Sequence, residues 1–258
     1  MPFVMRVRRI DPLQDSRWEE FLRGQAQPSL FHTPAWLRAL HLTYGYEPVA
    51  FTTSASNAPL SNGIVFCRIK SMLTGTRLVS VPFADHCQPL VSSRDELEDL
   101  IAGLKQKVRS ESCKYFELRC YFELRCLNFG NAGLEQNTEV VKSASFAYHA
   151  LDLRPEIDLL FRRFHKSCTQ RKIRRAQREK LAYEEGRSDE LIRQFYELFV
   201  MMRRRHGIPP PPLAWFVNLR DVLGGALKIR VIAKEGQPIA SIVTVRHKER
   251  LLYKYGGL

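Results

Sequence analysis

Apolar positions along this chain alternate between helical and strand spacing, and the order in which they do so repeats. Met5 to Ile10 reads as a strand, followed by a short helix around Trp18, Phe21 and Leu22. Thr33-Pro34 supplies an N-cap and a proline at the first helical position, opening a helix through Trp36, Leu37 and Leu40 that ends near Gly45. Three strand-like runs follow, Pro48 to Thr53, Ile64 to Ile69 and Arg77 to Val81, with turns at Asn57, Ser61-Asn62-Gly63 and Gly75. Ser93-Arg94-Asp95-Glu96 has the form of a capping box, and Leu97, Leu100, Ile101, Leu104 and Val108 then recur at core spacing. A strand is expected at Tyr115.

After Leu151-Asp152-Leu153 the pattern begins again. A basic helical stretch leads to a strand near Leu181 to Glu184, and a helix from Ser188-Asp189-Glu190 buries Leu191, Phe195, Leu198 and Met202. Prolines 209 to 212 interrupt it, and a further helix carries Trp215, Phe216, Leu219 and Val222. Strands at Leu227 to Ala233, Ile239 to Val245 and Leu251 to Tyr255 complete the series. Two helices before a three-strand antiparallel meander, found in both halves, predict a duplicated α/β unit. A literal repeat, Tyr115–Cys120 followed by Tyr121–Cys126, is expected to be a tolerated tandem duplication, since an even insertion preserves which way strand side chains face.

Charge changes this picture by separating the halves. Residues 151 onward hold 23 Lys and Arg against 12 Asp and Glu, whereas the first 150 hold 17 against 15. An excess so placed suits a polyanion, a phosphorylated ligand or an acidic surface. Its focus is the run from Phe161 to Lys180, where nine Lys or Arg face only Glu179. At helical spacing Arg171, Arg174, Arg175 and Arg178 share one face, and guanidinium groups so arrayed can grip phosphate or pyrophosphate oxygens in pairs. A solvated charged face is the alternative. The six cysteines contain no C-x-x-C pair and no zinc-like spacing, so reduced, mostly buried thiols in a cytoplasmic protein are expected, without metal or disulfide framework. The N-terminus lacks the apolar centre of a signal peptide, and no apolar run reaches the length of a bilayer span.

Several segments together resemble the Fem-type peptidoglycan aminoacyltransferase relatives, including a branch associated with exopolysaccharide and protein-sorting loci. They are Phe31-His32-Thr33-Pro34-Ala35-Trp36 with Tyr44-Gly45-Tyr46, Arg77 to Leu90, Phe164-His165-Lys166-Ser167 running into Arg171–Ala176, Tyr183–Gly186, and the closing Tyr253-Lys254-Tyr255-Gly256-Gly257. The resemblance covers nearly the whole chain. It implies two tandem GNAT-like acyltransferase domains with mixed, largely antiparallel sheets, here 1–150 and 151–258, the second incomplete after its strand meander. It also implies acyl or aminoacyl transfer to an amine of a cell-envelope or exopolysaccharide precursor. No cofactor is fixed; the acyl donor would be aminoacyl-tRNA or acyl-CoA. Partners would be a phosphorylated, nucleotide- or lipid-linked precursor and charged tRNA, with peripheral membrane contact and no DNA.

On this resemblance the substrate-binding candidates are Arg171, Lys172 and Arg175 for a diphosphate or tRNA backbone, and Lys254 and Tyr255 for the cleft. Strand alternation would send Tyr253 and Tyr255 together to the face opposite Lys254. No residue reads as a covalent nucleophile. Asp85-His86 is expected to be a turn residue and a packed histidine, and Arg203-Arg204-Arg205 a cationic helix C-terminus. Two departures weigh on the activity. Val81–His86 is not the Gly-rich loop that would hold the pyrophosphate of coenzyme A, and the second domain stops directly after Gly256-Gly257, so a truncated and inactive product is one expectation. The rivals are a plain acyl-CoA N-acyltransferase and a non-catalytic RNA- or anionic-surface-binding module.

Overall fold

The computed structural model describes residues 7–26, 28–120 and 143–258, so the second copy of the literal repeat lies outside the described residues. The chain divides into two units. One is the described part of Met1–Val140 together with Ala214–Gly224; the other is Val141–Leu213, as far as described, with Gly225–Leu258.

The first unit contains a five-stranded sheet in the order β1 (Arg8–Ile10), β2 (Glu47–Thr52), β3 (Ile64–Ile69), β4 (Thr76–Val79), β5 (Cys113–Glu117). Its neighbours run antiparallel except β4 and β5, which are parallel. The parallel pair requires a crossover, and α3 (Arg94–Ser110) supplies it. Leu97, Leu100, Ile101 and Leu104 of α3 pack on Val49, Phe51, Ile64 and Phe66. The core spacing legible in the sequence is therefore the face that meets the sheet. Ser93 caps α3 by accepting from the Glu96 N–H, while Glu96 reaches back one residue further than a standard box, to the Ser92 N–H. Burial is nearly continuous along β2 and β3, the signature of a sheet covered on both faces.

Helices α1 (Ser16–Gly24) and α2 (Pro34–Tyr44) belong to the same unit. Thr33 accepts from the Trp36 N–H at the start of α2, and Gly45 closes it in the left-handed region, at φ 66°. Trp36 is fully buried, and the ring beside it comes from far along the chain: Trp215, 5.4 Å away and edge-on. Trp215 also meets Tyr44 and Phe83, and Asn218 donates to Thr43. Thus α7 (Leu213–Leu223), which follows the proline run, is part of the first unit's core from Ala214 on, although its neighbours in sequence are not.

The second unit is built on an antiparallel sheet of β6 (Leu181–Gly186), β7 (Leu227–Lys234), β8 (Gln237–His247) and β9 (Arg250–Gly257). Helix α6 (Asp189–Arg205), capped by Ser188, lies on one face. Leu191, Phe195, Leu198 and Phe199 bury there against Leu227, Ile229, Val231, Val243 and Val245. Burial alternates along β7, so this sheet is packed on one side. Arg203 at the end of α6 donates to the Pro209 carbonyl and lies over Phe199, and Gly207 follows at φ 65°. The Arg203–Arg205 cluster is, as expected, a helix terminus.

The basic stretch is not one helix. It comprises α4 (Ile157–Arg163), a π-helical turn (Lys166–Gln170) and α5 (Arg171–Arg178). The break has a physical cause in Gln170, 95% buried, whose Nε2 donates to the carbonyls of Arg162 and Phe164. Those are end-of-helix carbonyls that would otherwise lack partners.

Candidate functional site

Arg171, Lys172 and Arg175 all stand exposed on α5, and no residue of that helix is buried. Among the described residues no carboxylate is paired with any of the three. Arg174 differs from its neighbours: its guanidinium lies 5.4 Å from the Phe161 ring and donates to Gln170 Oε1. It therefore braces the break. The C-terminal end of α5 is tied down by Glu179, which binds Lys234 of β7 at 2.7 Å. Glu179 is held below the ordinary carboxylate value by that hydrogen bond first, then by the charge of Lys234, with Arg175 and Arg178 adding to it. A short, anchored helix thus presents Arg171 and Arg175 one turn apart, a spacing suited to several oxygens of one anion.

Lys254 and Tyr255 lie on β9, and here the expected alternation fails. The pairing of β8 with β9 slips between Val243 and Thr244: Val243 faces Tyr255 while Thr244 faces Tyr253. Lys254 is the extra residue of a β-bulge. As a result the tyrosines go to opposite faces. Tyr255 turns to α6, where its ring meets Phe199 edge-on at 5.8 Å. Tyr253, 65% exposed, lies on the open face, with its hydroxyl where a Cβ on Gly256 would be. A side chain at 256 would require the Tyr253 ring to move. The Lys254 ammonium is 5.7 Å from the Tyr255 ring centroid, so these two predicted residues are brought together, whereas the three on α5 occupy a separate element of the same unit.

The sequence reading missed the polar network across the open face of this sheet. Tyr183 donates to Glu185 at 2.7 Å, Lys228 and Arg230 both pair with Glu185, and Arg230 donates to Thr244. Lys228 first, then the Tyr183 hydroxyl, hold the Glu185 carboxyl down at about 2. Period-two alternation puts these residues on one face, but their mutual pairing depends on strand register. Nothing in the local sequence gives that register.

Other candidates resolve into structure. His86 is buried, edge-on to Phe31 at 5.7 Å, while Asp85 is exposed. Burial pushes the Cys67 and Cys87 thiols well above their ordinary value and Cys120 up to about 11, so these sulfurs are protonated at neutral pH. Among the described residues no group of His, Cys, Asp and Glu could hold a metal, and no helix is long and apolar enough to cross a membrane. Shallow depressions line α6 at Tyr196, Val200 and Met201, and α1 at Arg17 and Phe21; neither contains a predicted site residue.

The described residues thus form two largely antiparallel sheets with helices packed on them, in a mixed α/β architecture. Residues 163–258 match the acetyltransferase (GNAT) domain family. Across 262 aligned residues, 96% of this chain and 75% of the relative, the sequence is 21% identical to UDP-N-acetylmuramoylpentapeptide-lysine N(6)-alanyltransferase of Weissella viridescens. These two likenesses support a Fem-like relative and, as chemistry, acyl or aminoacyl transfer in general.

Proposed function

We propose that this chain transfers an acyl or aminoacyl group to an amine on a nucleotide-linked cell-envelope precursor. The observation that carries the reading is α5: three exposed cations that form no salt bridge among the described residues, on a helix anchored at one end by Glu179 and braced at the other by Gln170 and Arg174. In this reading Arg171, Lys172 and Arg175 hold the precursor's diphosphate, and charge-assisted, paired hydrogen bonds make Arg the effective residue there.

Lys254 and Tyr255 serve the acyl group. A bulge at Lys254 shifts the register of the strand there. In this reading its ammonium would stabilise negative charge developing on the acyl carbonyl oxygen as the amine attacks. Binding both partners in register supplies much of the rate, so a covalent nucleophile is not required. The donor in this reading is an aminoacyl-tRNA, whose backbone the same basic helix can meet. The two-domain division at residue 150 remains part of the proposal.

The test is isothermal titration of the 258-residue chain with a UDP-linked muropeptide. Arg171→Ala with Arg175→Ala is expected to weaken binding by about two powers of ten, the loss of two charge-assisted contacts, with thermal unfolding unchanged. Unchanged affinity would remove α5 from the site.

A further inference from the structure

The tip of the hairpin joining β3 to β4 carries two of the most exposed large apolar side chains in the described chain, Met72 and Leu73, at 105% and 94% exposure. They are not on a loose loop. Ser71 and Gly75 exchange backbone hydrogen bonds in both directions at 3.2 and 2.8 Å, Gly75 sits at φ 77°, and the Thr74 N–H donates to the Ser71 hydroxyl. The turn is therefore closed by its own hydrogen bonds and holds the two apolar chains outward.

Cations surround them. Lys70 precedes the turn and is 69% exposed. Arg77 follows it, with its guanidinium folded back onto the Thr74 hydroxyl at 2.6 Å. Lys114, from β5, lays its stem so close over Gly75 that a Cβ there would come within 2.7 Å of its Cε. The carboxylates at this end of the sheet, Glu47 and Glu111, are already shared among Arg9, Arg68 and Lys70, so the tip itself is apolar within a cationic rim.

We propose that this hairpin is an interfacial anchor: Met72 and Leu73 enter the acyl boundary of a membrane surface while Lys70, Arg77 and Lys114 meet anionic headgroups. Two outward apolar chains at the tip of a hydrogen-bonded turn can enter such a boundary at headgroup level, where the backbone beneath them stays hydrated, and a cationic rim complements the surface that surrounds them there. The proposal uses only the first unit and stands apart from the acyl-transfer reading.

The full chain is expected to co-sediment with mixed phosphatidylcholine–phosphatidylglycerol vesicles, less so with phosphatidylcholine alone, and to be released by salt. Replacing Met72 and Leu73 together by Ser should weaken this binding about tenfold or more, with the melting curve unaltered because neither side chain is buried. In a Leu73→Trp chain the new indole should shift to the blue on vesicle addition and be quenched by brominated acyl chains. The native tryptophans, Trp18, Trp36 and Trp215, are fully buried and provide a constant background. Vesicle binding that survives the double Ser replacement but disappears with Arg171→Ala/Arg175→Ala would overturn the proposal in favour of α5. Absence of any vesicle binding, with Leu73→Trp unshifted, would overturn it too and leave the tip to a protein partner.

Discussion

Glu185 shows how a single carboxylate organises a sheet face. Tyr183, Lys228 and Arg230 converge on it from β6 and β7, and its pKa is held down at about 2. Because the folded value lies below the ordinary one, whatever stability this pairing adds is fully present above the ordinary carboxylate value. It is lost only as pH falls toward about 2. A carboxyl-detected NMR titration should therefore find Glu185 ionised throughout the mildly acidic range, and Lys228→Met should return its midpoint toward the normal value. A normal midpoint in the unmodified chain would contradict the geometry. The sequence showed each of these residues but not their meeting, which depends on the register that sets Glu185 opposite Arg230. Lys254 teaches the same lesson: the motif Tyr-Lys-Tyr was visible, yet a one-residue bulge reverses where one tyrosine goes.

At the scale of elements, helix starts were the most legible features. Thr33, Ser93 and Ser188 each cap the helix that the pattern assigned them, because capping is a contact between near neighbours. The division of the basic stretch was not legible as such. A signal existed in His165-Lys166-Ser167-Cys168-Thr169, a run mostly of indifferent helix formers, but its consequence depends on burying Gln170. Close packing gives a further prediction for α6 and β9. A Cβ on Gly257 would lie 2.7 Å from the Phe199 backbone nitrogen and 2.8 Å from the Leu198 carbonyl carbon. Backbone cannot step aside as a side chain can, so Gly257→Ala should cost about 1–3 kcal/mol in chemical denaturation, as overpacked cores do. An unchanged midpoint would show that the contact between strand and helix relaxes freely.

For the molecule as a whole, the pattern gave the order of elements and the repeated plan, but not the destination of α7. Periodicity says that Trp215, Phe216 and Leu219 are buried; it does not say against what. The structure sets Trp215 beside Trp36, Tyr44 and Phe83 in the first unit. Trp215→Ala should therefore destabilise that unit by about 3–5 kcal/mol, the usual effect of removing a large buried aromatic side chain. Hydrogen exchange would locate the loss: faster exchange is expected in α2, with β7 and β8 little changed. The reverse pattern would place α7 with the wrong core.

That arrangement has a consequence in time. A chain leaves the ribosome from its N-terminus, and units generally fold as they emerge. Here the face of α2 around Trp36 must wait until Trp215 has been made, after the basic segment and α6 have already appeared. Until then the nascent first unit carries an open aromatic surface alongside a cationic segment with no sheet of its own to rest on. Synthesis of the stretch between the N-terminal part of the first unit and α7 is the interval in which this protein most needs a chaperone's cover.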